Sequence, residues 1–238
     1  MGGESGLETT TSFVLDADKV RLYFTAGFRT DVFADSGDVD GDGFDDFVVV
    51  KDHKVIVWSG NATGPGLGTD SVVDYSDPGV PGNFRSFTDI AVDDMNGDGI
   101  DDILFGSSKS SPTDASLYGA GKAVTLFGSS AGIVSNGSQL WHQDVDGVAG
   151  KAQRNDGFGR QVHIADFDGD GFADGVIGAP LEGLTTFGTA KRNAGMVHIL
   201  PGAPDGLTTI GSQHWHQARP GIAGGAETGD LFGDAFGS

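Results

Sequence analysis

Three nine-residue segments carry the same arrangement of oxygen-bearing side chains: DVDGDGFDD (38–46), DMNGDGIDD (94–102) and DFDGDGFAD (166–174). Acceptors stand at loop positions 1, 3, 5 and 9. They are Asp38, Asp40, Asp42 and Asp46 in the first copy, Asp94, Asn96, Asp98 and Asp102 in the second, and Asp166, Asp168, Asp170 and Asp174 in the third. Glycines at positions 4 and 6 let the chain turn tightly enough for alternate side chains to converge on one point. The chemistry open to such a cluster is hard-cation binding. Ca²⁺ takes about six to eight oxygen ligands at roughly 2.3–2.6 Å, and the backbone carbonyl of position 7 (Phe44, Ile100, Phe172) fills a further place. The spacing therefore predicts three Ca²⁺ sites.

The competing EF-hand loop opens with the same acidic alternation but needs a carboxylate at position 12 and a helix on either side. Position 12 here is Val49, Phe105 and Ile177. Each loop runs instead into an apolar β-type segment, FVVV (47–50), ILFG (103–106) or GVIGAP (175–180), so the loops are expected to join strands.

Composition agrees with an all-β protein made for the outside of cells. The 238 residues include 41 Gly and no Cys, and 37% are apolar, enough for a core. The formal charge is −20, and three bound Ca²⁺ would bring it to −14, so part of the acidity belongs to the loops. No basic patch exists to hold nucleic acid, and an acidic face repels phosphate and anionic lipid. The absence of cysteine excludes disulfides and thiolate zinc sites. Millimolar extracellular calcium suits these loops. No stretch is apolar for long enough to span a membrane, and MGGESGLETT at the start lacks an export h-region, so a removed signal or a longer parent protein is expected.

Self-similarity reaches beyond the loops. GSQLWHQ (137–143) recurs as GSQHWHQ (211–217), and at the same shift of 74 GVAG (147–150) matches GIAG (221–224) and DGFG (156–159) matches DLFG (230–233). A unit of this length holds four short antiparallel strands, which is the size of one propeller blade. The order expected is an inner strand entering the loop (VHIAD, 162–166), a second strand, a third (MVHILPG, 196–202) and an outer strand near QHWHQ, with the tryptophans between blades. The reading is thus one repeat domain over 1–238, a β-propeller of four-stranded antiparallel blades. Approximate units fall at 20–80, 81–145 and 146–220, and 221–238 starts a truncated further one.

At this point the run FGRQVHIADFDGDGFADGVIGAP (158–180) resembles the FG-GAP repeat of integrin α-subunit propellers and of many bacterial surface proteins. Both signature ends are present, Phe158-Gly159 and Gly178-Ala179-Pro180. The other copies are worn: Ser86-Phe87 and Thr30-Asp31 occupy the FG position, and Gly106-Ser107-Ser108 and Val50-Lys51-Asp52 the GAP position. The resemblance implies that the twelve acceptors and three carbonyls named above are calcium ligands, on the face opposite the ligand site. It also implies about seven blades in a complete ring, so three units and a start are either a fragment or a partial propeller completed by self-association.

Catalytic signatures are few. GSSAG (128–132) fits a nucleophile-elbow pattern, but its repeat-equivalent GAPDG (202–206) lacks the serine, which makes an interblade turn the better reading. His142 and His216 lie at equivalent places beside Trp141 and Trp215, marking architecture rather than chemistry. Asn61-Ala62-Thr63 and Asn136-Gly137-Ser138 are glycosylation triplets. The function expected is an extracellular or cell-surface recognition or adhesion module with a protein or carbohydrate ligand. The alternatives are a propeller scaffold for a secreted hydrolase or lyase, or a lectin-like module.

Overall fold

The computed structural model describes residues 12–16, 19–23, 32–51, 54–62, 71–74, 87–112, 115–186 and 188–236. Strands β1 (Ser12–Asp16) and β2 (Lys19–Tyr23) form an antiparallel hairpin. Three four-stranded antiparallel sheets follow. The first contains β3 (Phe33–Gly37), β4 (Asp46–Lys51), β5 (Lys54–Trp58) and β6 (Ser71–Asp74) in sequential order. The second contains β7 (Asp89–Asp93), β8 (Asp102–Ser107), β9 (Lys122–Phe127) and β10 (Val134–Trp141), with a 3₁₀ turn at Ala115–Leu117. The third contains β11 (Val162–Ala165) and β12 (Asp174–Ala179), then β15 (Met196–Leu200) and β16 (Gln213–Trp215). A two-stranded hairpin, β13 (Leu184–Thr186) and β14 (Thr189–Lys191), is inserted between its second and third strands.

Each acidic loop joins the first strand of a blade to the second, and Val49, Phe105 and Ile177 at position 12 are buried strand residues. Loop geometry accounts for the glycines: those at positions 4 and 6 of all three copies have φ between 72° and 91°, a region L-residues with side chains rarely enter. The first strands β3, β7 and β11 lie side by side, so the blades form consecutive sectors around a common inner edge.

Blades are held together by the two faces of each sheet. In β8 every residue is buried, and its side chains alternate between neighbours. Ile103 and Phe105 join Val48, Val50, Val55 and Val57 of the first blade in one core cluster. Leu104 joins Phe158, Ile164, Ile177 and Leu207 of the third in another. Trp141 is buried in that second cluster, with its indole N–H donating to Thr125 Oγ1 at 3.2 Å. The tryptophan thus packs between blades.

The FG and GAP ends meet across blade boundaries. A Cβ at Gly106 of the second blade would collide with the carbonyl of Gly159 of the third, and one at Gly178 would collide with the carbonyl of Gly233. Gly121 bridges Phe158, and Gly195 bridges Phe232 in the same way. Segment 218–236 therefore repeats on the third blade the docking that 144–162 makes on the second.

The turn after β9, read from sequence as lying between blades, instead connects β9 to β10 inside the second blade. It touches the first blade all the same, since Ser129 N–H donates to the Val39 carbonyl at 3.3 Å. Ser129 Oγ donates to Gly132 O at 2.7 Å, and no helix follows the turn. Thr30, Asp31, Asp52, Thr63 and Ser86 lie outside the described residues.

Candidate metal centre

Within each loop the side-chain oxygens at positions 1, 3 and 5 fold inward onto the loop's own amides. Asp38 Oδ1 accepts Asp42 N–H at 3.0 Å, Asp38 Oδ2 accepts Gly43 N–H at 2.8 Å, and Asp42 Oδ1 accepts Phe44 N–H at 2.9 Å. The second and third copies repeat this pattern: Asp94 Oδ2 accepts Gly99 N–H at 2.8 Å and Asp166 Oδ2 accepts Gly171 N–H at 3.1 Å. One ligand oxygen from each of Asp38, Asp40 and Asp42 lies within 4.8 Å of the others, and the same holds for Asp166, Asp168 and Asp170. In the second copy the Asn96 amide oxygen takes the position-3 role, accepting Asp98 N–H at 2.9 Å. The donor set is all oxygen, which fits a hard cation such as Ca²⁺ and excludes a thiolate or imidazole metal site.

Position 9 is different. Asp46, Asp102 and Asp174 are buried, and both oxygens of each accept backbone N–H groups. Asp102 Oδ2 takes Met95 N–H at 3.2 Å and Oδ1 takes Gly128 N–H at 3.0 Å. Asp46 takes Val39 and Gly60 at 3.1 and 2.7 Å, and Asp174 takes Phe167 and Gly202 at 3.1 and 3.0 Å. Each oxygen keeps a second lone pair, so a carboxylate so held can still ligate an ion at the loop. Burial raises all three carboxyl pKa values, Asp102 up to about 7, and the neighbouring loop carboxylates push in the same direction. A cation among these oxygens would reverse that charge repulsion.

Successive loops are stacked. Asp101 N–H donates to the Asp38 carbonyl at 2.9 Å, and Ala173 N–H donates to the Asp94 carbonyl at 3.0 Å. A Cβ at Gly41 would lie 3.0 Å from Ile100, and one at Gly97 would lie 2.7 Å from Phe172, so the position-7 side chain of each later loop covers position 4 of the earlier one. Beside the third loop, whose Gly169 is uncovered, a cavity of about 680 Å³ is lined by Asp168, Asp170, Ile210, Gln213 and Trp215.

Sequence reasoning did not find a second group on the inner strands. Asp35 Oδ2 accepts Val92 N–H at 3.0 Å and Asp89 Oδ2 accepts Val162 N–H at 2.9 Å, each tying one inner strand to the next. Burial raises both carboxyl pKa values, Asp89 to about 6, against the lowering pull of those amides and of His163. Alternation along a strand gave no signal for this group, because its members come from three different blades.

Fold and loops together define an array of propeller blades with an acidic loop in each first turn. Residues 158–200 match the FG-GAP repeat family model. Integrin alpha pat-2 of Caenorhabditis elegans is 28% identical over 203 residues, covering 78% of this chain. The chain spans 15% of the length of that relative. These two findings support an FG-GAP, integrin-α-like family for the chain. Among solved structures, rhamnogalacturonan lyase YesW is similar with a TM-score of 0.46 at 14% identity, over 79% of this chain and 34% of that one. Among the described residues no helix is long and apolar enough to cross a membrane.

Proposed function

We propose that the chain is a calcium-stabilised propeller module of an extracellular or cell-surface protein, serving recognition or adhesion of a protein or carbohydrate ligand. The observation that carries this reading is the loop geometry repeated in three blades, with the position-1 carboxylate accepting the position-6 glycine N–H in each and three carboxylates gathered around one point in the first and third. The ligands of the three ions are Asp38, Asp40, Asp42 and Asp46 with the Phe44 carbonyl, Asp94, Asn96, Asp98 and Asp102 with the Ile100 carbonyl, and Asp166, Asp168, Asp170 and Asp174 with the Phe172 carbonyl. Bound Ca²⁺ neutralises crowded carboxylates and pins the turn between first and second strands. At a hundred times Kd each site contributes about 2.7 kcal/mol. Calcium is structural here, and ligand contacts belong to variable connections such as 61–82 and 107–120.

The test is thermal unfolding in millimolar calcium and in excess chelator. The expected result is a large fall in midpoint on chelation, recovered by calcium and less well by magnesium. An unchanged midpoint would remove the calcium reading.

One observation favours a second reading, a propeller scaffold for a secreted hydrolase or lyase: Asp35, Asp89 and His163 act on one another electrostatically at the inner edge. Both carboxylates are already committed to interstrand N–H groups, which favours a structural role. Turnover of a polysaccharide panel that is lost in His163→Ala would reverse that preference.

A further inference from the structure

We propose that His142 is an acid-opened latch on the connection that carries the chain from the second blade into the third: a lone pair of its ring holds the turn, and a proton on that lone pair releases it. His142 Nδ1 accepts Asp144 N–H at 3.2 Å, and the His142 carbonyl accepts Val145 N–H at 3.0 Å. Ring and backbone of one residue thus close the first turn after β10. A neutral imidazole has one N–H and one acceptor nitrogen, so with Nδ1 accepting, the hydrogen sits on Nε2. The imidazolium is a donor at both nitrogens. It cannot accept Asp144 N–H, and the charged ring and the closed turn exclude each other.

The packing keeps the ring from swinging out to be charged in water. His142 is buried between Trp141 and Gln143, which are buried as well. Trp141 belongs to the core shared by the second and third blades, and Gln143 Nε2 donates to Glu182 Oε2 of the third blade at 2.7 Å. The charged groups acting on the ring are Asp144 on its own turn and Lys122 on β9. Burial lowers the imidazole pKa, with Asp144 opposing and Lys122 adding to the fall. Asp144 Oδ1 is engaged by Ala152 N–H at 3.1 Å. The same bonds recur after β16, where His216 Nδ1 accepts Ala218 N–H at 3.2 Å and the His216 carbonyl accepts Arg219 N–H at 3.0 Å. Burial, His214 and Arg219 lower the His216 pKa. Alanine stands there in the place of Asp144, so the ring-to-amide bond does not depend on a neighbouring acid.

An unfolded histidine takes up its proton near pH 6.5, whereas the folded His142 does so only at lower pH. Its contribution to stability is therefore complete above that value and is lost as pH falls below it. This is opposite in sign to the raised carboxyl pKa values of Asp89 and Asp102, whose contributions are lost as pH rises. Only a comparison that cancels those carboxylates isolates the histidine.

The experiment is denaturant unfolding between pH 5 and 8 in saturating calcium, for the wild type and His142→Asn, whose side-chain oxygen can accept the N–H two residues on, as in an Asx turn, and does not titrate. The ratio of folding constants, wild type over variant, is expected to be level above pH 7.5 and to fall by up to tenfold per pH unit below 6.5. A ratio that stays flat from pH 5 to 8 would overturn the proposal. Should His142→Asn fail to fold, nuclear magnetic resonance of the wild type decides. At pH 7.5 the His142 ring should carry its hydrogen on Nε2, and a hydrogen on Nδ1 would overturn the proposal. Between pH 6.5 and 5 the protection factor of the Asp144 amide should fall more steeply than that of Gly157, whose N–H bonds to the Gly119 carbonyl at the other end of the same connection, and equal slopes would overturn it.

Discussion

Asp102→Asn is expected to destabilise the protein in chelator as well as in calcium, because both oxygens of the buried carboxylate accept backbone N–H groups. The amide leaves one of those donors facing an NH₂ group, at a cost of about 1–3 kcal/mol. Asp98→Asn, at an exposed position of the same loop, should cost stability only when calcium is present. Urea unfolding of both variants in each condition separates the two duties of the loop. Asp89 responds to pH through the same physics. Burial raises its folded pKa to about 6, so its contribution to stability falls as pH rises from about 4 through that value. Asp89→Asn keeps an oxygen for Val162 N–H and removes the buried charge, so at pH 8 it should be more stable than wild type, by up to about 2 kcal/mol. Equal stability at pH 8 would show that solvent reaches the carboxylate. The loop acceptors were legible in the sequence because they repeat within nine residues. Asp35 and Asp89 were not, since they are brought together from inner strands of different blades that no local spacing links.

Strand order within each blade followed from the loop and the apolar run after it, and Leu104 flanked by Ile103 and Phe105 explains why that run does not alternate with polar residues. The β13–β14 hairpin escaped notice because LTT and TAK are short and lack an apolar face. FG and GAP read along the chain as two ends of one repeat, and in space the FG glycine meets both, donating Gly159 N–H to the Gly178 carbonyl of its own repeat at 2.9 Å and packing on Gly106 of the blade before it. That accounts for their paired wear. Where the second copy has Phe87 in place of the FG glycine, its neighbour has Val50 in place of the GAP glycine, and both enter one apolar cluster. Gly106→Ala should therefore cost about 3 kcal/mol, because its Cβ meets the Gly159 carbonyl rather than a yielding side chain. Gly225→Ala, with open space around it, should stay within about 0.5 kcal/mol of wild type. Gln139 also spans blades: its Nε2 donates to the carbonyls of Asp205 and Leu207 and its Oε1 accepts Leu207 N–H, all between 3.0 and 3.1 Å.

At the scale of the molecule, the cores lie between blades, so a blade face without a neighbour keeps its apolar side chains in water. On the third blade Ile210 is 84% and Phe167 57% exposed, beside the cavity that Gln213 and Trp215 line. Gln213 stands 74 residues after Gln139, at the place where the latter grips the next turn. The expected behaviour of the 238-residue chain on its own is self-association through this face, with a molar mass in light scattering above 24.4 kDa and a return to monomer in Ile210→Asp. A wild type that stays monomeric at high concentration would show the face to be adequately solvated.

The stacking of the loops gives the array a direction. Each blade offers a glycine and a carbonyl on one side, and an apolar side chain and an N–H on the other, as Gly41 and Asp38 meet Ile100 and Asp101, and Gly97 and Asp94 meet Phe172 and Ala173. The two loop-to-loop contacts therefore have the same two halves. Duplicating or deleting one whole repeat in the gene leaves the loop contacts matched, while a cut within a repeat breaks one. The spacing of the loops, 56 and then 72 residues, shows that the segments between these contacts differ in length while the contacts themselves do not.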